Sequence, residues 1–167
     1  MTQRKIVTIG EKADEAFLRR RTVPFDFSVH SKKAISDLII EMRRAMLAAD
    51  GIGLSANQIG YSFRVFVARV PDAQGKMKFY AVFNPEIDRA DPDIESAEEG
   101  CLSVPGAFGP VERPARIHLR AVDKYGKPLK IKAWGLLARV FQHEIDHLNG
   151  ILFIDKAKAV YQVSADD

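Results

Sequence analysis

His143-Glu144-Ile145-Asp146-His147 sets two imidazoles four residues apart, with a carboxylate directly after the first. On an α-helix, positions i and i+4 share one face, so both rings can address a single ion and Glu144 can reach water that the ion activates. H-E-x-x-H is the pattern of zinc proteases and predicts metal-assisted hydrolysis. Two ligands hold a metal poorly, and a catalytic site adds a third while keeping one position open. The usual downstream third ligand has no source here: the 20 residues after His147 hold no His and no Glu, and Asp155, Asp166 and Asp167 are their only acids. Upstream, Cys101 in Glu99-Gly100-Cys101-Leu102-Ser103 is the natural candidate, because a thiolate is a strong ligand for zinc or ferrous iron. A lone cysteine among apolar neighbours is ordinarily a small core residue. The absence of a downstream ligand is what turns Cys101 toward chemistry. One cysteine in 167 residues also excludes an intramolecular disulfide framework.

Those residues need elements to hold them. Leu136, Leu137, Val140, Phe141, Ile145 and Leu148 recur at helical spacing, which predicts a helix from about Gly135 to Asn149 with Gly150 just past its end. Its histidines share a stripe with Leu136 and Val140 and should be directed inward. Ser31–Ala49 is the clearest helix, with Ile35, Leu38, Ile39, Met42 and Met46 at the same spacing, Ser31 as cap and Asp50-Gly51 as stop. Arg64–Val70 and Lys78–Phe83 read as buried strands joined by Pro71-Asp72-Ala73-Gln74-Gly75. Ile117–Val122 and Leu129–Ala133 form a second hairpin with one wet face, on which His118 should lie. Strands that come in hairpins, not in alternation with helices, predict an α+β fold with antiparallel sheets, and the length suits one catalytic domain over 1–167.

Composition narrows the partners. With 47% apolar and 28% charged residues the chain can bury a core and is not of the disordered class. Twenty-five Lys and Arg against 22 Asp and Glu leave only +3, too weak a field to favour nucleic-acid reading, and Arg19-Arg20-Arg21 reads as a solvated helix end. No apolar stretch approaches the roughly 20 residues a membrane span needs. The start, Met1 to Thr8, lacks the apolar region of a signal peptide, and Glu11, Asp14 and Glu15 argue against a transit peptide, so the expected compartment is the cytoplasm. The acid run Asp91-Pro92-Asp93-Ile94-Glu95 reads as a solvated loop, and His30 as non-catalytic.

Taken together, Gly51-Ile-Gly-Leu-Ser-Ala-Asn-Gln58, Glu99-Gly-Cys-Leu-Ser103 and Gln142-His-Glu-Ile-Asp-His-Leu-Asn-Gly150 resemble the three motifs of peptide deformylase, in the same order. The resemblance implies sheets packed around a central C-terminal metal-binding helix. It also implies removal of the formyl group from the N-terminal formyl-methionine of newly made bacterial proteins, with release of formate. It assigns one divalent ion per chain to Cys101, His143 and His147, natively Fe2+, with Zn2+, Ni2+ or Co2+ as substitutes. Glu144 is then the general base and acid, and the Gln58 side chain and the Leu102 N–H stabilise the oxyanion. Gly53 offers its backbone to the peptide, and Ile52, Leu136, Val140 and the ring edge of His143 are candidates for the methionine pocket. Partners implied are formyl-Met nascent peptides and a transient ribosome contact. The alternatives are an endopeptidase built on the same helix, disfavoured by the absent downstream ligand, and a catalytically silent metal-binding or ribosome-associated relative. Three departures from the family pattern stand out. Ser55 replaces a common alanine, with little effect expected. Phe108 stands where many bacterial members have arginine, and the segment after Gly150 is short for the docking helix of many relatives.

Overall fold

The computed structural model describes residues 4–164; the first three residues of the N-terminal stretch and the acids Asp166 and Asp167 considered above lie outside them. Strand β2 (Val65–Pro71) explains the architecture, because its neighbouring residues are buried on opposite faces. Phe66, Ala68 and Val70 join Phe141, Ile145 and Leu148 of helix α3 (Gly135–Leu148), while Val65 and Val67 join Leu38, Met42 and Met46 of helix α2 (Lys32–Ala48). A strand covered on both faces reads as a continuous apolar run, which is why Arg64–Val70 shows no alternation. The sheet thus lies between two helices, and each fully buried Phe or Leu contributes about 1.5–3 kcal/mol.

This sheet has the order β1-β2-β3-β6-β7, with β1 Gly53–Ser55, β3 Met77–Ala90, β6 Arg116–Val122 and β7 Pro128–Trp134. Both expected hairpins are present: Val65 faces Phe83 and Pro71 faces Met77, and Arg116 faces Trp134 while Val122 faces Pro128. His118 is half-buried on the strand between buried Ile117 and Leu119. The α2 start is capped as expected, Ser31 Oγ accepting the Ala34 N–H at 3.1 Å, and the helix stops where Asp50 takes φ 53°. A shorter helix, α1 (Lys12–Leu18), buries only Leu18, too little pattern to be read from the sequence. Arg19 lies just past its end and pairs with Glu15 and Asp155.

A second sheet, β4 (Ile94–Cys101), β5 (Val104–Pro114) and β8 (Tyr161–Gln162), closes over the other side of α3. Asp91-Pro92-Asp93 is irregular as expected, but Ile94 and Glu95 open β4, a strand exposed over most of its length and held by pairing with β5. After α3 the described chain makes a 3-10 turn (Phe153–Asp155) that buries Phe153 against Val104, Ala107 and Val111, then lays β8 beside Ala107 and Phe108 of β5. The α3 C-terminus turns at Gly150 with φ 76°, and a β-carbon there would overlap the Arg19 carbonyl, so the position admits only glycine. Among the described residues no helix is long and apolar enough to cross a membrane.

Candidate metal centre

Helix α3 presents His143 and His147 one turn apart on the same face, ring centroids 4.9 Å apart. Cys101, the last residue of β4, meets them from the second sheet: its Sγ lies 3.2 Å from His147 Nε2, which lies 3.2 Å from His143 Nε2. All three donor atoms fall within 4.8 Å of one another. Burial alone would raise the Cys101 thiol, but the charge of His147 and hydrogen bonds from both imidazoles bring it well below its ordinary value. Burial would likewise lower His143, yet its bonds to Cys101 and Glu99 raise it to about 10. A thiolate is therefore set against cationic imidazole, and a divalent cation can take over the positive role in that pairing. One sulfur and two imidazole nitrogens suit a borderline or soft ion of the zinc or ferrous type.

Glu99 decides the ring orientation. Its Oε2 lies 2.9 Å from His143 Nδ1, and by holding the proton on Nδ1 it leaves Nε2 as the nitrogen that gives up its proton to a metal, the tautomer a ligand requires. Arg113 donates to both Glu99 oxygens, Arg139 adds a bond at 2.8 Å, and Arg113 reaches Asp146 Oδ2 of α3 at 2.8 Å. Lys156 closes the chain on Asp146 Oδ1 at 2.9 Å. Burial opposes the Glu99 charge, but the Arg113 and His143 contacts hold its carboxyl far below the usual range. Glu99, Arg113 and Asp146 are each under 10% exposed, so this is a buried, fully bonded charge network that ties the Cys101 strand to the histidine helix. Nothing in the sequence marks Arg113, which simply alternates along β5. Glu99 is visible there only as an acid two residues before the candidate thiolate. His147 Nδ1 is buried with no protein hydrogen-bond partner among the described residues.

Glu144 is 3% exposed; burial raises its carboxyl, and the two imidazoles and the Ser55 hydroxyl pull against that rise. Ser55 Oγ lies 2.7 Å from Glu144 Oε2, a partner that an alanine at 55 would not provide, so the exchange expected from the sequence to matter little adds a contact to the carboxylate. The Gln58 carboxamide is oriented by its neighbours: Oε1 accepts the Ser55 N–H at 2.9 Å, and Nε2 reaches Ser103 Oγ at 3.1 Å and lies 3.8 Å from Cys101 Sγ. Gln58 sits on the 3-10 turn Ala56–Ile59, and the same turn anchors α3 through Asn57 Nδ2, which donates to the His147 carbonyl at 2.8 Å.

These groups open onto a cleft of about 590 Å³. Gly53, Gln58, Cys101, Leu102, His143 and Glu144 line it, and so do Ile52, Leu136 and Val140, so every site residue expected from the sequence reaches the cleft except His147, which is buried behind the others. Ile52 and Leu136 stay about half exposed at the rim. Gly53 touches the carboxylate directly, since a β-carbon there would overlap Glu144 Oε1. Phe108 packs its ring over Gly100 and forms part of the far wall.

An α+β fold whose H-E-x-x-H helix meets a strand cysteine beside a buried carboxylate defines a metallohydrolase class of centre. Comparison with known proteins narrows that class. Residues 3–162 match the polypeptide deformylase family, and the chain belongs to it. It is 48% identical over 127 residues to the peptide deformylase of Halothermothrix orenii, covering 75% of this chain and 79% of that one. With a peptide deformylase of Prochlorococcus marinus it shares 46% over 125 residues, covering 75% of this chain and 62% of that one. The match thus spans about three fifths of the length of several curated relatives. Among solved structures, the Thermotoga maritima peptide deformylase superposes with a TM-score of 0.81 at 38% identity, covering 95% of this chain and all of that one. The class I type b enzyme of Acinetobacter baumannii, solved with Met-Ala-Ser bound, gives 0.83 at 30% identity over 93% of this chain and 98% of that one.

Proposed function

We propose that this chain hydrolyses the formamide of N-formyl-methionine at the start of new polypeptides, releasing formate and a free amine. The observation that carries this reading is the meeting of Cys101 Sγ, His143 Nε2 and His147 Nε2 beside Glu144 at the floor of a cleft walled by glycine and apolar residues. A divalent ion held by those three residues supplies Lewis-acid polarisation and makes water acidic at the site; Fe2+ is the native ion in this reading, with Zn2+, Ni2+ or Co2+ able to take the same donors.

The protein groups do the rest. Glu144 takes a proton from the attacking water as oxygen joins the formyl carbon, and returns it to the amine nitrogen as the carbon–nitrogen bond breaks. Its upward shift makes it a stronger base toward that water, and as a carboxylic acid it can still protonate the far more basic departing amine. The Gln58 Nε2 and the Leu102 N–H donate to the formyl oxygen as negative charge develops there. Gly53 pairs its backbone with the peptide, which tolerates many sequences after methionine. Ile52, Leu136, Val140 and the edge of His143 take the methionine side chain, whose burial contributes about 1.5–3 kcal/mol. That the Acinetobacter baumannii relative was solved with Met-Ala-Ser supports a peptide beginning with methionine as the released product. Work on nascent chains in the bacterial cytoplasm, with at most a transient ribosome contact, follows from that substrate.

The test is formate release from formyl-Met-Ala by protein purified without oxygen, with elemental analysis of the bound metal before and after air. Activity that tracks iron supports the reading and the metal together. Metal-loaded protein that releases no formate overturns it.

A further inference from the structure

Ser55 ends β1, is fully buried, and touches both side chains that the hydrolytic reading, on which this inference rests, assigns to the reaction. Its backbone N–H donates to Gln58 Oε1 at 2.9 Å. An N–H can only donate, so the amide oxygen must face Ser55 and the NH2 must face Ser103 and Cys101. Its hydroxyl has one proton and two acceptors in reach, the Glu144 backbone carbonyl at 2.9 Å and Glu144 Oε2 at 2.7 Å. The carboxylate is the shorter and stronger of the two. The second carboxylate oxygen, Oε1, lies against Gly53, where any β-carbon would overlap it, and both residues line the cleft.

We propose that Ser55 is a positioning residue for proton transfer: its hydroxyl pins Oε2 of Glu144, so that Oε1 is the oxygen that exchanges the proton with water and the leaving amine. The terminal carboxylate torsion of a glutamate is broad and two-fold, and one anchored oxygen removes that freedom before substrate arrives. The proton taken from water sits on Oε1 until it passes to the amine nitrogen, and the Ser55 proton is never transferred. The two roles of Ser55 are also separable. Replacement by alanine removes the hydroxyl but keeps the N–H that orients Gln58. Helix α3 keeps its Asn57 anchor one turn further on, so the substitution need not loosen the helix.

The experiment compares metal-loaded wild type, Ser55→Ala and Ser55→Thr on formyl-Met-Ala. In Ser55→Ala, kcat falls about tenfold while KM and bound metal stay within about twofold of wild type. Ser55→Thr keeps a hydroxyl and recovers kcat to within about threefold if it folds. Independently of catalysis, the melting-temperature shifts of Ser55→Ala and Glu144→Ala are non-additive in the double variant, because either change breaks the same bond. A wild-type kcat in Ser55→Ala, a parallel loss of metal, or additive melting shifts would overturn the proposal even with Ser55→Thr unfolded. Wild-type protein that releases no formate marks failure of the hydrolytic reading, whereas active wild type with an unimpaired Ser55→Ala marks failure of this inference alone.

Discussion

His143 Nδ1 stands 2.9 Å from Glu99 Oε2, so the carboxylate two residues before Cys101 aims the first of the two imidazoles on α3. The strand thus supplies one candidate donor and orients another, and Arg113 locks the carboxylate in place from both oxygens. Replacing Glu99 by Gln keeps the shape but loses the charge that fixes the tautomer. Metal affinity should drop about 10- to 100-fold, read by competition with a chromophoric chelator. Unchanged affinity would show that the bond is not used.

The same carboxylate makes stability depend on acid. Its folded pKa lies below the ordinary 4.5, so its contribution is complete above that value and is lost as pH falls from about 4.5 toward the folded pKa. Urea midpoints should decline below about pH 5 as this carboxylate takes up its proton. The decline should be shallower in Glu99→Gln.

Metal uptake should release about one proton between pH 7 and 9. In the metal-free site Cys101 is already shifted toward thiolate, while His143, raised to about 10, must lose its proton to become a ligand. Affinity then climbs roughly tenfold per pH unit in this window. Calorimetric titrations in buffers of different ionisation enthalpy count the protons directly, and a count near two would show that Cys101 is a protonated thiol in the metal-free site and also loses its proton on binding.

Gly53→Ala should cut kcat/KM by about 100-fold with the fold retained, because the new methyl displaces Glu144 Oε1 and crowds Val140. Far-ultraviolet circular dichroism and formate release separate the two effects. An active Gly53→Ala would place the working carboxylate oxygen elsewhere.

Gly150→Ala acts on stability alone. A left-handed non-glycine residue costs about 1–3 kcal/mol, and the collision with the Arg19 carbonyl adds to that. Urea denaturation should report a loss of about 2–4 kcal/mol, with metal content of the folded fraction unchanged.

Much of this protein can be read along the chain because the physics involved is local. Two histidines at i and i+4 face one way on any helix, the turns at 71–75 and 123–128 announce their hairpins, and Ser31 and Gly150 mark helix ends by their own conformational preferences. Cys101 draws attention because residues 148–167 hold no His and no Glu and a thiolate is a strong ligand for zinc or ferrous iron. The hairpin β4–β5 does not show, because acids along β4 hide any alternation and only pairing with β5 makes it a strand. Distance along the chain hides the rest. Glu99 lies 44 residues from His143, Arg113 33 from Asp146, and Ser55 89 from Glu144. Residue types and periodicity specify which face of an element is buried, but they do not say which buried polar groups will meet. A buried charge or hydroxyl must find a partner wherever the packing brings one, so the aim of His143 and the anchoring of Glu144 are settled only when the two sheets close around α3.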